Sequence, residues 1–199
     1  MAKRIASERA VVLLDIASGT GDIPLRVLRQ RSKIRGAGDV TLWVTDLCPQ
    51  MLEMAKRKLA DDPSIRFGRM DAHDLLEIAD ASVDLVSISF GMKICDRRRV
   101  VAQAFRVLKP GGAFYCLEAA RIPFAPLHWL YLKYMDWCLP FIAWVAVNDA
   151  SAYDYLLRGI HDFPDQRTFV SELREAGFVD VGYENLTLGI VALHRGRKP

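Results

Sequence analysis

At 199 residues the chain is long enough to bury one sizeable core and short enough to be a single domain. Hydrophobic residues make up 51% and charged residues 26%, a balance that excludes a disordered chain. A net charge of +3, with basic residues scattered apart from Arg97-Arg98-Arg99, gives no support for a nucleic-acid partner.

The predicted elements alternate strand and helix from the start. Val11–Ala17 is a short apolar run closing on an acid and a glycine turn, as a buried parallel strand does. Asp22–Arg31 reads as a helix, Val40–Asp46 as the second strand, and Pro49–Ala60 as a helix with proline in its first turn. Ile65–Met70 and Val83–Phe90 are the third and fourth strands, and Asp96–Leu108 is the helix after them. Lys109-Pro110-Gly111-Gly112 predicts a turn before a fifth strand, Ala113–Ala120. The rhythm then breaks. Ile122–Val147 is an aromatic-rich insertion predicted as two short helices hinged at Pro140. Helices over Asn148–Ile160 and Pro164–Ala176 follow, the second ended by Gly177. Phe178–Glu184 and Leu188–His194 are two strands with no helix between them, which predicts antiparallel pairing. The fold class is therefore α/β, a mostly parallel sheet with helices on both faces.

Cys48, Cys95, Cys116 and Cys138 stand far apart without a Cys-x-x-Cys pair, so free thiols are expected and no metal site. Met1 to Arg9 is charged and lacks the apolar run of a signal peptide. Pro123, Pro126, His128, Lys133, Asp136 and Pro140 interrupt the aromatic insertion, so it is not expected to span a bilayer. It could lie on one, line an apolar pocket, or form a packed cap or dimer contact.

The turn after the first strand, Asp15-Ile16-Ala17-Ser18-Gly19-Thr20-Gly21-Asp22, lets backbone approach a ligand at the carboxyl edge of the sheet. A dinucleotide fingerprint would need glycine at position 24, where Pro24 stands, and no Gly-Lys-Ser/Thr follows for a P-loop. S-adenosylmethionine carries no phosphate and suits the remaining pattern. Asp46, 25 residues after Gly21, can accept from both ribose hydroxyls. Asp71 could hold the adenine amino group, with Ala72 supplying an amide. Gly19 and Thr20 would cradle the methionine portion, Asp15 would orient the loop from below, and Ser89 would face the crevice. Each lone acid could equally be a helix cap, and Thr20 a plain turn residue. Three acids at successive strand ends favour the cofactor.

The chain resembles the ubiquinone/menaquinone-biosynthesis C-methyltransferases, the UbiE-type family. The residues that carry the likeness are Arg106-Val107-Leu108-Lys109-Pro110-Gly111-Gly112 with Leu117-Glu118, then Asn148-Asp149, Tyr153-Asp154-Tyr155-Leu156 and Phe163-Pro164-Asp165-Gln166. Ala176-Gly177-Phe178, Asn185-Leu186-Thr187 and Ala192-Leu193-His194-Arg195-Gly196 extend it. The resemblance implies a seven-stranded Rossmann-like sheet with the last strand antiparallel, S-adenosyl-L-methionine as methyl donor, and a prenylated benzoquinol or naphthoquinol as acceptor. It places cofactor contacts on Thr20, Asp46, Asp71, Ala72 and Ser89.

Two departures stand out. The family reads Ser-Phe-Gly-x-Arg-Asn after the fourth strand, and this chain has Ser89-Phe90-Gly91-Met92-Lys93-Ile94, with lysine where an arginine assists quinol deprotonation. The family also carries a longer leader and lid, where about ten residues precede the first strand here, so a short or truncated lid is expected. Lys93, Asp149 and Tyr153 are the catalytic candidates, with His161 behind them, and His128 and His194 receive no role. The aromatic insertion would wall a pocket for the isoprenoid tail or rest on a membrane. A cytoplasmic enzyme is expected if bacterial, and one on the matrix side of the inner mitochondrial membrane if eukaryotic. Another small-molecule or lipid acceptor, or a cofactor-binding scaffold subunit, are the alternative readings.

Overall fold

The computed structural model describes residues 10–31, 39–59, 62–146 and 163–199. Its strands are β1 (Val11–Ile16), β2 (Val40–Asp46), β3 (Ile65–Arg69), β4 (Val83–Ser89), β5 (Leu108–Ala119), β6 (Val179–Leu186) and β7 (Val191–Arg197). Its helices are α1 (Asp22–Arg31), α2 (Pro49–Leu59), α3 (Arg97–Val107), α4 (Ala125–Ala146) and α5 (Gln166–Glu175). The strands form one seven-stranded sheet in the order β3-β2-β1-β4-β5-β7-β6. Pairing is parallel from β3 to β5, and β7 runs antiparallel to both β5 and β6. This is the α/β architecture that the alternating pattern predicts, and the seven-stranded Rossmann-like sheet that the family resemblance implies.

Strand periodicity divides the core between the two faces of the sheet. Along β1, Val11 and Leu13 join Leu42, Val44, Ala55 and Leu59 on the α1–α2 side. Leu14 and Ile16 join Val86, Ile88, Val100 and Phe169 on the α3–α5 side. Helix α2 buries Leu52, Ala55 and Leu59, one stripe at helical spacing. Gly21 has φ +77°, and a Cβ there would stand 2.9 Å from Leu59 Cδ1, so glycine is what allows the loop after β1 to settle on α2.

Three expectations are corrected. Lys109–Gly112 does not break the chain but is an irregular stretch inside β5, where the register jumps between the pairs Val83–Leu108 and Leu85–Ala113. Gly111 N–H donates to Lys198 O and Lys198 N–H to Gly112 O, so partners distant in sequence hold the segment in the sheet. Lys198 Nζ also donates to Phe105 O and Leu108 O, placing a cation on the carbonyl end of α3. The two short helices expected around Pro140 are instead one 22-residue helix, α4, that runs through it. A proline deletes one helical hydrogen bond, which a long helix absorbs at a cost of about 3 kcal/mol.

The last strand also starts later than predicted. A 3₁₀ turn over Thr187–Gly189, with Leu188 at φ 60°, intervenes before Val191. The helix predicted at Asn148–Ile160 lies outside the described residues.

Candidate cofactor site

The strand order reverses between β1 and β4, which opens a crevice beyond their carboxyl ends. A cavity of about 600 Å³ lies there, lined by Ala17, Gly19, Asp46, Asp71, Ala72 and Ser89 among others. Each of these follows or ends a strand. The sheet thus brings five of the predicted cofactor residues to one place.

Backbone strain marks the cavity rim. Ala17 (φ 50°) and Phe90 (φ 56°) occupy the left-handed region just past β1 and β4. Between them Gly91 is a close approach: a Cβ there would come within 2.7 Å of Ala17 Cβ. Gly19 also has positive φ, yet a Cβ on it would meet nothing within 4 Å, so the space above it is open.

Asp46 is fixed by main chain. Its Oδ2 accepts from Gly19 N–H and its Oδ1 from Cys48 N–H, both at 2.8 Å. Each oxygen keeps a second lone pair for an outside donor.

Beneath the loop Asp15 is buried, and Ser87 Oγ donates to its Oδ1. Burial pushes its carboxyl up to about 6 against the pull of the Ser87 hydroxyl, with the nearby charge of Asp46 adding to the rise. The main-chain oxygen of Asp15 accepts from Ser18 Oγ and Thr45 Oγ1, which stitches the loop to β2. Asp15 is therefore a buried support beside the cavity.

Thr20 and Gly21 stand away from the cavity lining. Thr20 Oγ1 donates to Asp22 Oδ2 at the start of α1, and Asp22 in turn pairs with Lys58 of α2.

Asp71 Oδ1 accepts from His73 N–H at 2.9 Å and contacts His73 Nδ1 at 2.6 Å. The His73 main-chain donor comes first in holding Asp71 below the usual carboxylate range. His73 Nε2 accepts from Asp96 N–H at 2.9 Å, and Asp96 caps α3 through the amides of Arg98 and Arg99. Cys95 also lines the cavity, and burial, aided by the negative charge of Asp71, pushes its thiol up to about 11.

Lys93 does not line this cavity. Its Nζ donates to Glu118 Oε1 at 3.0 Å and to Phe90 O, and its side chain is 3% exposed. Glu118, fully buried near the end of β5, also accepts from Lys93 N–H and Ala119 N–H. The lysine so held fixes the turn that walls the cavity. Asp149, Tyr153 and His161 lie outside the described residues.

His194 is buried against Phe169 and Tyr183. Among the described residues neither ring nitrogen has a well-formed hydrogen bond, and the Gln166 main chain pulls against the effect of burial. Burial lowers its pKa to about 4.

A second cavity, of about 320 Å³, lies past β5 and is lined by Ala119, Arg121, His128, Leu132, Phe163 and Asp165. Cys48, His73, Phe90, Gly91 and Cys95 are cavity residues that the sequence reading missed. Each falls within a few positions of a strand end, which was the available signal.

Several solved methyltransferases share this fold. The chain superposes on an S-adenosylmethionine-dependent methyltransferase, SibL, with TM-score 0.64 at 20% identity, covering 96% of this chain and 51% of the other. Phosphoethanolamine N-methyltransferase 2 of Haemonchus contortus, in complex with S-adenosyl-L-methionine, gives TM-score 0.68 at 16% identity, covering 99% and 51%.

Sequence relatives are nearer. A ubiquinone/menaquinone biosynthesis C-methyltransferase UbiE of Acidiphilium cryptum (strain JF-5) is 42% identical, over 92% of this chain and 72% of the relative. A mitochondrial 2-methoxy-6-polyprenyl-1,4-benzoquinol methylase of Schizosaccharomyces pombe is 38% identical, over 94% of this chain and 64% of the relative. A demethylmenaquinone methyltransferase of Clavibacter sepedonicus is 39% identical, over 98% and 79%. Residues 1–198 match the ubiE/COQ5 methyltransferase family, and the chain belongs to that family.

Proposed function

We propose that the chain transfers a methyl group from S-adenosylmethionine to a ring carbon of a prenylated benzoquinol or naphthoquinol. The observation that carries the cofactor half is Asp46, a strand-end carboxylate pinned by two main-chain donors on a 600 Å³ cavity. The acceptor half rests on the names of the relatives, which cover both quinol classes.

When bound, S-adenosylmethionine supplies an electrophilic methyl on a sulfonium, and the protein's task is alignment and exclusion of water. In this reading Asp46 accepts from the ribose hydroxyls, Asp71 and Ala72 hold the base, and Gly19 leaves room for the amino-acid end. Ser89 and Phe90 line the same cavity and, in this reading, face the acceptor. Asp149 is the candidate for accepting the quinol proton, Tyr153 for hydrogen-bonding the ring oxygen, and Lys93 acts through the turn it holds.

The test is methyl transfer from labelled cofactor to demethylated benzoquinol and naphthoquinol analogues, with cofactor binding measured in parallel. Asp46→Asn removes one charge-assisted acceptor and is expected to weaken cofactor binding by about tenfold, some 1.5 kcal/mol. Unchanged binding would overturn the role of Asp46. Failure of the wild type to methylate either quinol class would overturn the acceptor.

Helix α4 supports an apolar partner. Trp129 and Trp137 on it are 62% and 81% exposed, with Leu130 and Tyr134 exposed between them. No helix among the described residues is long and apolar enough to cross a membrane. Trp and Tyr favour the lipid–water boundary, so in this proposal α4 rests on the membrane that holds the prenylated acceptor. Trp129→Ser/Trp137→Ser is expected to reduce cosedimentation with liposomes severalfold, and undiminished cosedimentation would refute the contact.

A further inference from the structure

The proposed function leaves several cavity side chains without a role, His73 among them. His73 stands between a carboxylate on the cavity and the start of a core helix, with both ring nitrogens engaged. Its Nε2 accepts the Asp96 amide proton at 2.9 Å, so the ring proton must sit on Nδ1. From there it donates to Asp71 Oδ1 at 2.6 Å, and the His73 main-chain N–H donates to the same oxygen. Two donors converge on Oδ1, while Oδ2 receives none from the described residues.

The far end of this strut is rigid. Asp96 caps α3, and that helix buries Val100, Val101, Ala104 and Val107 in the core. The near end would otherwise be loose, because the Asp71 side chain is 45% exposed. A half-exposed carboxylate with no tether samples several rotamers and binds a donor poorly.

We infer that His73 is a positioning residue for base recognition: its neutral imidazole ties Asp71 to the start of α3 and presents Oδ2 to the 6-amino group of the cofactor's purine. The inference rests on the cofactor reading above. Its consequence concerns selectivity more than affinity. A fixed acceptor discriminates a purine bearing an amino donor from one lacking it, and a mobile acceptor discriminates little.

The experiment compares binding of S-adenosylhomocysteine with that of its analogue whose purine lacks the 6-amino group. Wild type is expected to prefer the amino form by about tenfold or more, the effect of a hydrogen bond to a charged group. His73→Ala is expected to reduce the preference to about twofold, the main-chain donor alone remaining. His73→Asn, whose amide can replace the Nδ1 donor, should restore much of it, whereas His73→Gln, which reaches instead toward Asp96, should not. Partial unfolding cannot mimic this pattern, because both ligands report on the same folded population. Full preference in His73→Ala, or no preference in wild type, overturns the inference. Failure of wild type to bind either ligand overturns the cofactor reading itself, and the inference with it.

Discussion

Lys93→Met is expected to destabilise the protein by about 3–5 kcal/mol, whereas Lys93→Met/Glu118→Leu should recover part of that loss. The asymmetry follows from burial. Glu118 is fully buried and Lys93 almost so, and they meet at 3.0 Å. Removing the ammonium leaves a carboxylate with only the amides of Lys93 and Ala119 as partners, too little to repay its lost hydration. Removing both charges replaces the pair with apolar groups of similar volume, and the cost that remains is that of the Lys93 and Ala119 amides, which lose their acceptor. Urea titration with a shifted midpoint and unchanged slope would register both effects. Were Lys93 a substrate-touching catalyst instead, Lys93→Met would lose turnover while keeping its midpoint. That result would refute the structural role of the pair.

The second large effect is hidden in the wild type by compensation. Asp15 has a folded pKa of about 6 against an ordinary 3.8, so the native state binds the extra proton as pH falls through that window. Stability from Asp15 therefore rises on acidification, by up to about 3 kcal/mol at 1.36 kcal/mol per unit. His194 has a folded pKa of about 4 against 6.5, so the unfolded state takes its proton first. Stability from His194 is lost over nearly the same interval, by up to about 3 kcal/mol. The two slopes oppose, and wild-type stability is expected to vary little between pH 6 and pH 4.5.

Single variants should uncover each slope. Asp15→Asn, which keeps an acceptor for Ser87, should be more stable than wild type near pH 8 and lose stability on acidification. His194→Leu should gain stability over the same range. The lowered carboxyls of Asp22, Asp62, Asp71 and Asp165 titrate below 3.8 and leave this window undisturbed. Urea curves at pH 8, 6 and 4.5 test this, and parallel profiles for wild type and both variants would contradict it.

Much of the fold was legible because β1, β2 and β4 are apolar runs bounded by glycine or acid, and burial on both faces demands that pattern. The place of Asp46 and Asp71 on the cavity was legible because each follows or ends a strand, and parallel strands bring such ends to one edge. The features that escaped depend on partners distant in sequence. Gly111-Gly112 reads as a turn until Lys198 pairs with it, and the enclosure of Lys93 depends on Glu118, 25 residues on. His73 needs Asp96, 23 residues away, before its ring has a purpose. Pro140 misled for another reason, since a breaker signal is local and a 22-residue helix outlasts it.

The position of β7 bears on how the chain is made. It lies between β5 and β6, although it is the last of the strands to be synthesised. Before β7 emerges from the ribosome, β5 has an unfilled edge and β6 has no partner among the described strands. The sheet can be completed only after Arg197 has cleared the exit tunnel, when one strand inserts and forms both pairings together. Until that moment the nascent protein exposes pairing-competent strand edges, the surface that chaperones shield and that otherwise seeds aggregation.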